Sequence, residues 1–214
     1  MFDGILFDLD GTLWDATRGI ADAWNALIAC TPELSRPPVD AAEAASVMGQ
    51  PLDVITRRIF PMVPEERVEE IAALLSEHDT AYLLSHGGGQ VYPGVEETLA
   101  ALARTARLFV VSNCQAGYIE CFFETSGLGR YFTDHLCPGD TGRLKADNIA
   151  QIVREHGLVS PVYVGDTELD FLSASTAGVP FLHARYGFGS VDASLSAVSS
   201  FPELPAALAR MSPP

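Results

Sequence analysis

Short apolar runs at residues 4–8, 108–113, 161–166 and 179–183 each close on turn or polar residues. They are apolar throughout rather than alternating, as strands covered on both faces of a parallel sheet are. Residues 133–137 form a weaker run of the same kind. Helical patterns fill the gaps, over 94–105, 114–126, 146–156 and 168–177. Strand and helix take turns along the chain, which predicts an α/β fold with a doubly wound, parallel-sheet (Rossmann-like) core.

Residues 15–88 break that alternation. Helical patterns run over 17–29, 40–47, 52–60 and 64–85 with no strand-like run between them. Pro32, Pro37, Pro38, Pro51, Pro61 and Pro64 punctuate the turns. His86-Gly87-Gly88-Gly89 ends the stretch, and three consecutive glycines suit a flexible connector. The expected organisation is an α/β core from residues 1–14 and 89–214, with 15–88 inserted as a helical cap. The tail from Val191 reads as a closing turn and helix, with Ser212-Pro213-Pro214 frayed.

Composition narrows the classes. The chain has 214 residues and is 48% apolar, enough to bury a core without disulfide or metal staples. Its net charge of −15 comes with no cluster of Lys and Arg, which argues against nucleic acid and against an anionic membrane surface. Cys30, Cys114, Cys121 and Cys137 have neither CxxC nor metal-ligand spacing and read as free thiols in a reducing compartment. No apolar run is long enough for a signal or a membrane span, so the expected location is cytoplasmic. No feature specifies an oligomeric state.

Chemistry concentrates at the ends of the apolar runs. Asp8-Leu9-Asp10-Gly11-Thr12 closes the first, and ligands of open α/β sheets bind at the carboxyl ends of strands. Two acids that close repel each other unless a cation or a shared proton relieves them; a lone pair of this kind is also an ordinary strand-end turn. Gly165-Asp166-Thr167-Glu168-Leu169-Asp170 repeats the build after the third run, and two such clusters can converge on one divalent cation. Oxygen donors without a Cys or His pair favour Mg²⁺ over zinc. Lys145 is the only lysine in a chain with twelve arginines, a compact ammonium just ahead of a helical pattern. Ser112 and Asn113 close the second run, where their hydroxyl and amide either bond phosphate oxygens or cap the next helix. Trp14 and Trp24 are expected to pack the inserted segment against the core.

In this order the pieces resemble the haloacid dehalogenase-like phosphohydrolases, and most closely the phosphoglycolate phosphatase-like branch. Asp8, Asp10, Gly11 and Thr12 match the family's first motif, Ser112 the second, Lys145 the third, and Asp166 with Asp170 the fourth. Asp15, Met48 to Leu52, Tyr92 to Val95 and Tyr186 to Gly189 are similar to that branch. The resemblance implies a Mg²⁺-dependent phosphatase acting on a small phosphorylated metabolite. Asp8 would be the nucleophile and Asp10 the general acid and base. Mg²⁺ would be held by Asp8, the Asp10 backbone carbonyl and Asp166, with Asp170 orienting Lys145 or a metal-bound water. Lys145, Ser112 and the backbone of Gly11 and Thr12 would hold the phosphoryl oxygens. Asp10 argues against dehalogenation, and a cap without lysine excludes Schiff-base phosphonate cleavage. A sugar phosphomutase and a catalytically idle binding module are the alternatives. Arg18, Gly49 and Gln50 are the candidates for substrate choice, with Arg18 either facing a substrate carboxylate or simply a surface charge.

Overall fold

The computed structural model describes residues 2–211. Ser212-Pro213-Pro214, expected to be frayed, lie outside the described residues. The chain opens with β1 (Gly4–Phe7) and β2 (Trp14–Asp15), then runs through helices α1 (Thr17–Cys30), α2 (Ala41–Ala45), α3 (Leu52–Ile59) and α4 (Val68–His86). It returns through β3 (Gln90–Val91) and continues with α5 (Val95–Leu102), β4 (Arg107–Val111), α6 (Tyr118–Ser126), β5 (Asp134–Leu136) and α7 (Pro138–Thr141). The last part is α8 (Lys145–Glu155), β6 (Pro161–Gly165), α9 (Glu168–Thr176), β7 (Phe181–Ala184), β8 (Ala197–Val198) and α10 (Leu204–Arg210).

Six strands form one sheet in the order β5-β4-β1-β6-β7-β8, and each neighbouring pair is parallel. The chain builds to one side of β1 first and then to the other, so β1 is the switch point of a doubly wound fold. The unbroken apolar runs have a direct cause: side chains alternate between faces and both faces are covered. Leu6, Phe109 and Tyr163 pack with Ile149, Ile152 and Ala174 from α8 and α9. Phe7, Val110 and Val164 join the second cluster, which extends into α1, α4 and α5.

Three local features differ from the expectation. The triple glycine has backbone and steric reasons for its residue type beyond serving as a connector. Gly87 (φ 86°) and Gly88 (φ 76°) are left-handed, and a Cβ on Gly89 would sit 2.9 Å from the Asp15 carbonyl oxygen. Trp14–Asp15 and Gln90–Val91 pair antiparallel where the helical segment leaves and rejoins the sheet, so residue 15 lies inside a ribbon strand. Helix α6 begins at Tyr118, after a left-handed Gly117, and the stretch from Ser112 to Gly117 is a loop; neither Ser112 nor Asn113 caps it. Among the described residues no helix is long and apolar enough to cross a membrane, and all four cysteines are free thiols.

Candidate active site

Three neighbouring strands deliver two acids and a hydroxyl to one point. Asp8, Ser112 and Asp166 directly follow the last residues of β1, β4 and β6, and Phe7 is in register with both Val110 and Val164. Lys145 opens α8 and reaches the same point, donating to Asp8 Oδ1 at 2.6 Å and to Asp170 Oδ1. Asp170 is fixed by the start of α9. Its Oδ2 accepts from Thr167 N at 2.9 Å and Thr167 Oγ1 at 2.7 Å, while Thr167 Oγ1 accepts from the Asp170 amide, a reciprocal capping box.

Asp8, Asp166, Asp170 and Lys145 are all at most 3% exposed. Three buried carboxylates thus face one ammonium. Burial, and then the Asp170 charge, push Asp8 up to about 6 against the pull of Lys145. Asp166 is raised well above the usual carboxyl range by burial and by Asp170, despite amide donors from Phe188 and Gly189. Burial alone would depress Lys145, but Asp170 and Asp8 outweigh it and hold the ammonium well above its ordinary value.

Two oxygens of this cluster stay unpaired. Asp8 Oδ2 and Asp166 Oδ1 are buried without a hydrogen-bond partner among the described residues. Oxygens of Asp8, Asp166 and Asp170 lie within 4.8 Å of one another. Orphaned carboxylate oxygens at this spacing fit a hard divalent cation, and both oxygens of Asp170 are already engaged by donors. Asp166 is held from behind, because its Oδ2 accepts from Phe188 N at 2.7 Å and Gly189 N at 3.3 Å. Gly11 (φ 80°) and Gly187 let backbone approach this acid: an added Cβ would lie 2.3 Å from Asp166 Oδ2 at Gly11 and 2.4 Å from Asp166 Cβ at Gly187.

Asp10 points away from the cluster. Its Oδ1 accepts from Trp14 Nε1 at 2.9 Å and from Tyr118 OH at 3.1 Å. Burial and the Asp8 charge raise it to about 7, opposed by those two donors. Thr12 is fully buried with an unpartnered Oγ1, and its carbonyl accepts from Tyr186 OH at 2.8 Å.

Asp10, Ser112 and Asn113 line one side of a cavity of about 70 Å³, with Trp24, Gly49, Gln50 and Asp79 of the helical segment opposite. Asn113 Nδ2 donates to the Gly49 carbonyl at 3.0 Å and ties the two sides together. Gly49 and Gln50 are therefore brought to the site. Arg18 is not: it is exposed and lines a separate depression with Asp15, Asp22, Tyr82 and His86. The reason is helical phase, since Ile20 and Trp24 carry the inward face of α1 and Arg18 falls off it. Neither tryptophan is merely packing, because Trp14 serves Asp10 and Trp24 Nε1 donates to Asp79 Oδ2 at 3.1 Å. Tyr118 and Asp79 carried no signal in the sequence beyond their residue types, whereas the Thr167-x-x-Asp170 spacing is the signature of a capping box.

Residues 5–184 match the family model described as haloacid dehalogenase-like hydrolase, and the chain belongs to that family. Within it, the chain is a phosphatase, a hydrolase of phosphoric monoesters. It is 31% identical to a plasmid-encoded phosphoglycolate phosphatase of Cupriavidus necator, over 98% of this chain and 95% of the relative. It is 30% identical to the phosphoglycolate phosphatase of Rhodospirillum rubrum, over 92% of this chain and 86% of that one. A haloacid dehalogenase-like family hydrolase from Streptococcus pneumoniae shares the fold, with a TM-score of 0.81 at 23% identity over 97% of this chain and 98% of that one.

Proposed function

We propose that this phosphatase hydrolyses a small phosphorylated metabolite by transferring the phosphoryl group to Asp8 and then to water. The observation that carries the reading is Asp8 itself: buried, anchored through Oδ1 by Lys145, and left with an unpartnered Oδ2 at the switch point of the sheet. A carboxylate oxygen of Asp8 attacks phosphorus, and the ester P–O bond breaks with its electron pair going to the leaving oxygen. Asp10, which lines the cavity, supplies the proton that oxygen takes. Water then attacks the aspartyl-phosphate and returns a proton to Asp10, the Asp8–phosphorus bond breaks, and inorganic phosphate leaves.

Asp8, the Asp10 backbone carbonyl and Asp166 would hold Mg²⁺, which when bound offsets the repulsion between the nucleophilic carboxylate and the phosphate. The orphaned oxygens of Asp8 and Asp166 support that set, and the full engagement of Asp170 supports its part in orienting Lys145. Lys145, Ser112 and the Gly11–Thr12 backbone steady the phosphoryl oxygens as charge moves. Residues 15–88 act as a cap that closes over the substrate, with Gly49 and Gln50 contributing to substrate choice and Ser112 and Asn113 facing them. The curated relatives named phosphoglycolate phosphatase favour a small ester.

The test is inorganic phosphate release from a panel of small esters with Mg²⁺, with EDTA, and with Asp8→Asn protein. Turnover that needs both the metal and Asp8 is expected. Release that survives Asp8→Asn would refute the covalent route.

A further inference from the structure

Asp79 sits in the middle of α4, outside the phosphate site, and only 5% of it is exposed. Its Oδ2 accepts from Trp24 Nε1 at 3.1 Å, while Oδ1 has no partner among the described residues. The residue lines the same cavity as Asp10 and Ser112. A carboxyl in the interior of a helix contributes nothing to capping, and an unpaired buried polar atom costs about 1–3 kcal/mol. Such an atom, on a residue that lines a cavity shared with Asp10 and Ser112, has the placement of a ligand-reading group.

The surroundings define what it reads. Among the described residues no Lys, Arg or His lines this cavity; its lining includes Ile20, Met48, Leu52 and Ile55, with Gln50 and Ser76 as polar neighbours. Arg143 belongs to an adjoining depression, is exposed, and donates to Gln151 Oε1 at 3.0 Å. A carboxylate on the alcohol part of a substrate would therefore enter an apolar space with no cation to meet it and two acids in the wall. Burial, opposed by the single hydrogen bond from Trp24, holds Asp79 protonated well above the usual carboxyl range. A neutral carboxyl both donates and accepts, as a hydroxyl partner requires.

We propose that Asp79 is a specificity-determining residue that binds a hydroxyl of an uncharged polyol or sugar monophosphate, and that the cavity disfavours esters whose alcohol part carries a carboxylate. The inference rests on the phosphatase reading above and narrows its substrate class, away from phosphoglycolate.

The experiment compares glycerol 3-phosphate, phosphoglycolate and phosphoethanolamine. Turnover is measured with wild-type protein and Mg²⁺, and binding by calorimetry to Asp8→Asn protein. Glycerol 3-phosphate is expected to exceed phosphoglycolate by about tenfold in kcat/KM and in affinity, the scale of one neutral hydrogen bond. Asp79→Ala should raise KM for glycerol 3-phosphate about tenfold with kcat and the phosphoglycolate KM little changed, while Asp79→Asn, which still donates and accepts, stays within about threefold. Asp79→Leu replaces the alanine variant if that one does not fold. Preference for phosphoglycolate, preference for the ammonium ester, or an equal effect of Asp79→Ala on all three would each overturn the proposal. A wild-type protein that hydrolyses none of them refutes the phosphatase reading instead, and the calorimetric ranking still decides this one: glycerol 3-phosphate first supports it, and any other ranking or no binding overturns it.

Discussion

Replacing Gly187 by alanine isolates the role of the loop behind Asp166. Gly187 has no positive φ, so alanine pays no backbone strain and the whole effect is steric. Its Cβ would lie 2.4 Å from both Asp166 Cβ and the Gly11 carbonyl oxygen, and 2.5 Å from Asp166 Oδ2. Ordinary contacts sit near 3.5–4.0 Å, so the loop must retreat by roughly 1 Å. Overpacking of this kind costs about 1–3 kcal/mol. The retreat also stretches the Phe188 and Gly189 amide bonds to Asp166, now 2.7 and 3.3 Å, and hydrogen bonds to charged groups are worth about 1.5–3 kcal/mol.

Together these amount to about 2.5–6 kcal/mol, a drop in Tm of roughly 5–24 °C for a chain of this size. Asp166 would also lose its orientation, and loss of such support typically weakens metal affinity about 10–100-fold. A melting curve and a Mg²⁺ titration of activity read the two effects. Gly157→Ala is the control: its φ is 58° but nothing lies within 4 Å of the added carbon. That variant should lose only about 1 kcal/mol of strain and keep its Mg²⁺ dependence. A Gly187→Ala protein that melts with the wild type and needs no more Mg²⁺ would refute the steric reasoning.

Lys145→Met should cost about 3–5 kcal/mol in metal-free protein, because it strips Asp8 and Asp170 of their ammonium partner; denaturant midpoints should fall more at pH 8 than at pH 5, where the carboxyls can take up protons instead. A loss independent of pH would contradict this. Asp79→Asn should stabilise the protein increasingly as pH rises above 3.8, the ordinary carboxyl value. The folded-state value is raised, so the acid's stability contribution is complete below 3.8 and falls by about 1.4 kcal/mol per pH unit until the folded value is passed. Urea midpoints of variant and wild type that run parallel between pH 4 and pH 7 would refute it. Thr167→Ala removes the cap that also holds Asp170, for a loss of about 0.5–2 kcal/mol, and Thr167→Ser should recover most of it in the same assay.

The core of this fold is legible because its cause is local. Each of the strands β1, β4 and β6 is buried on both faces, so Ile5-Leu6-Phe7 or Val162-Tyr163-Val164 is written as an unbroken apolar run. The residue that follows must leave the sheet, and it is there that Asp8, Ser112 and Asp166 stand. Short elements escape this logic. The two-residue strands β2, β3 and β8 and the four-residue helix α7 are too brief for a period, and exist because neighbours pair or close over them. The late start of α6 was hidden for a related reason: Gly117 takes a left-handed conformation demanded by the loop that turns Asn113 toward Gly49.

The two ends of the site differ in the same way, and that difference bears on function. The phosphate end is assembled from residues at strand ends, each recognisable by its immediate neighbours. The opposite end depends on pairs far apart in sequence: Trp24 with Asp79 at 55 residues, Asn113 with Gly49 at 64, Tyr118 with Asp10 at 108. No local pattern encodes such pairs, and at 31% identity to a named relative nothing forces them to be kept. Strand-end residues are therefore shared readily with the phosphatases this chain resembles, whereas the residues that choose the alcohol are not. The identity of that alcohol has to be read from the cavity wall, where an unpartnered carboxyl and the absence of a cation among the described residues are the informative features.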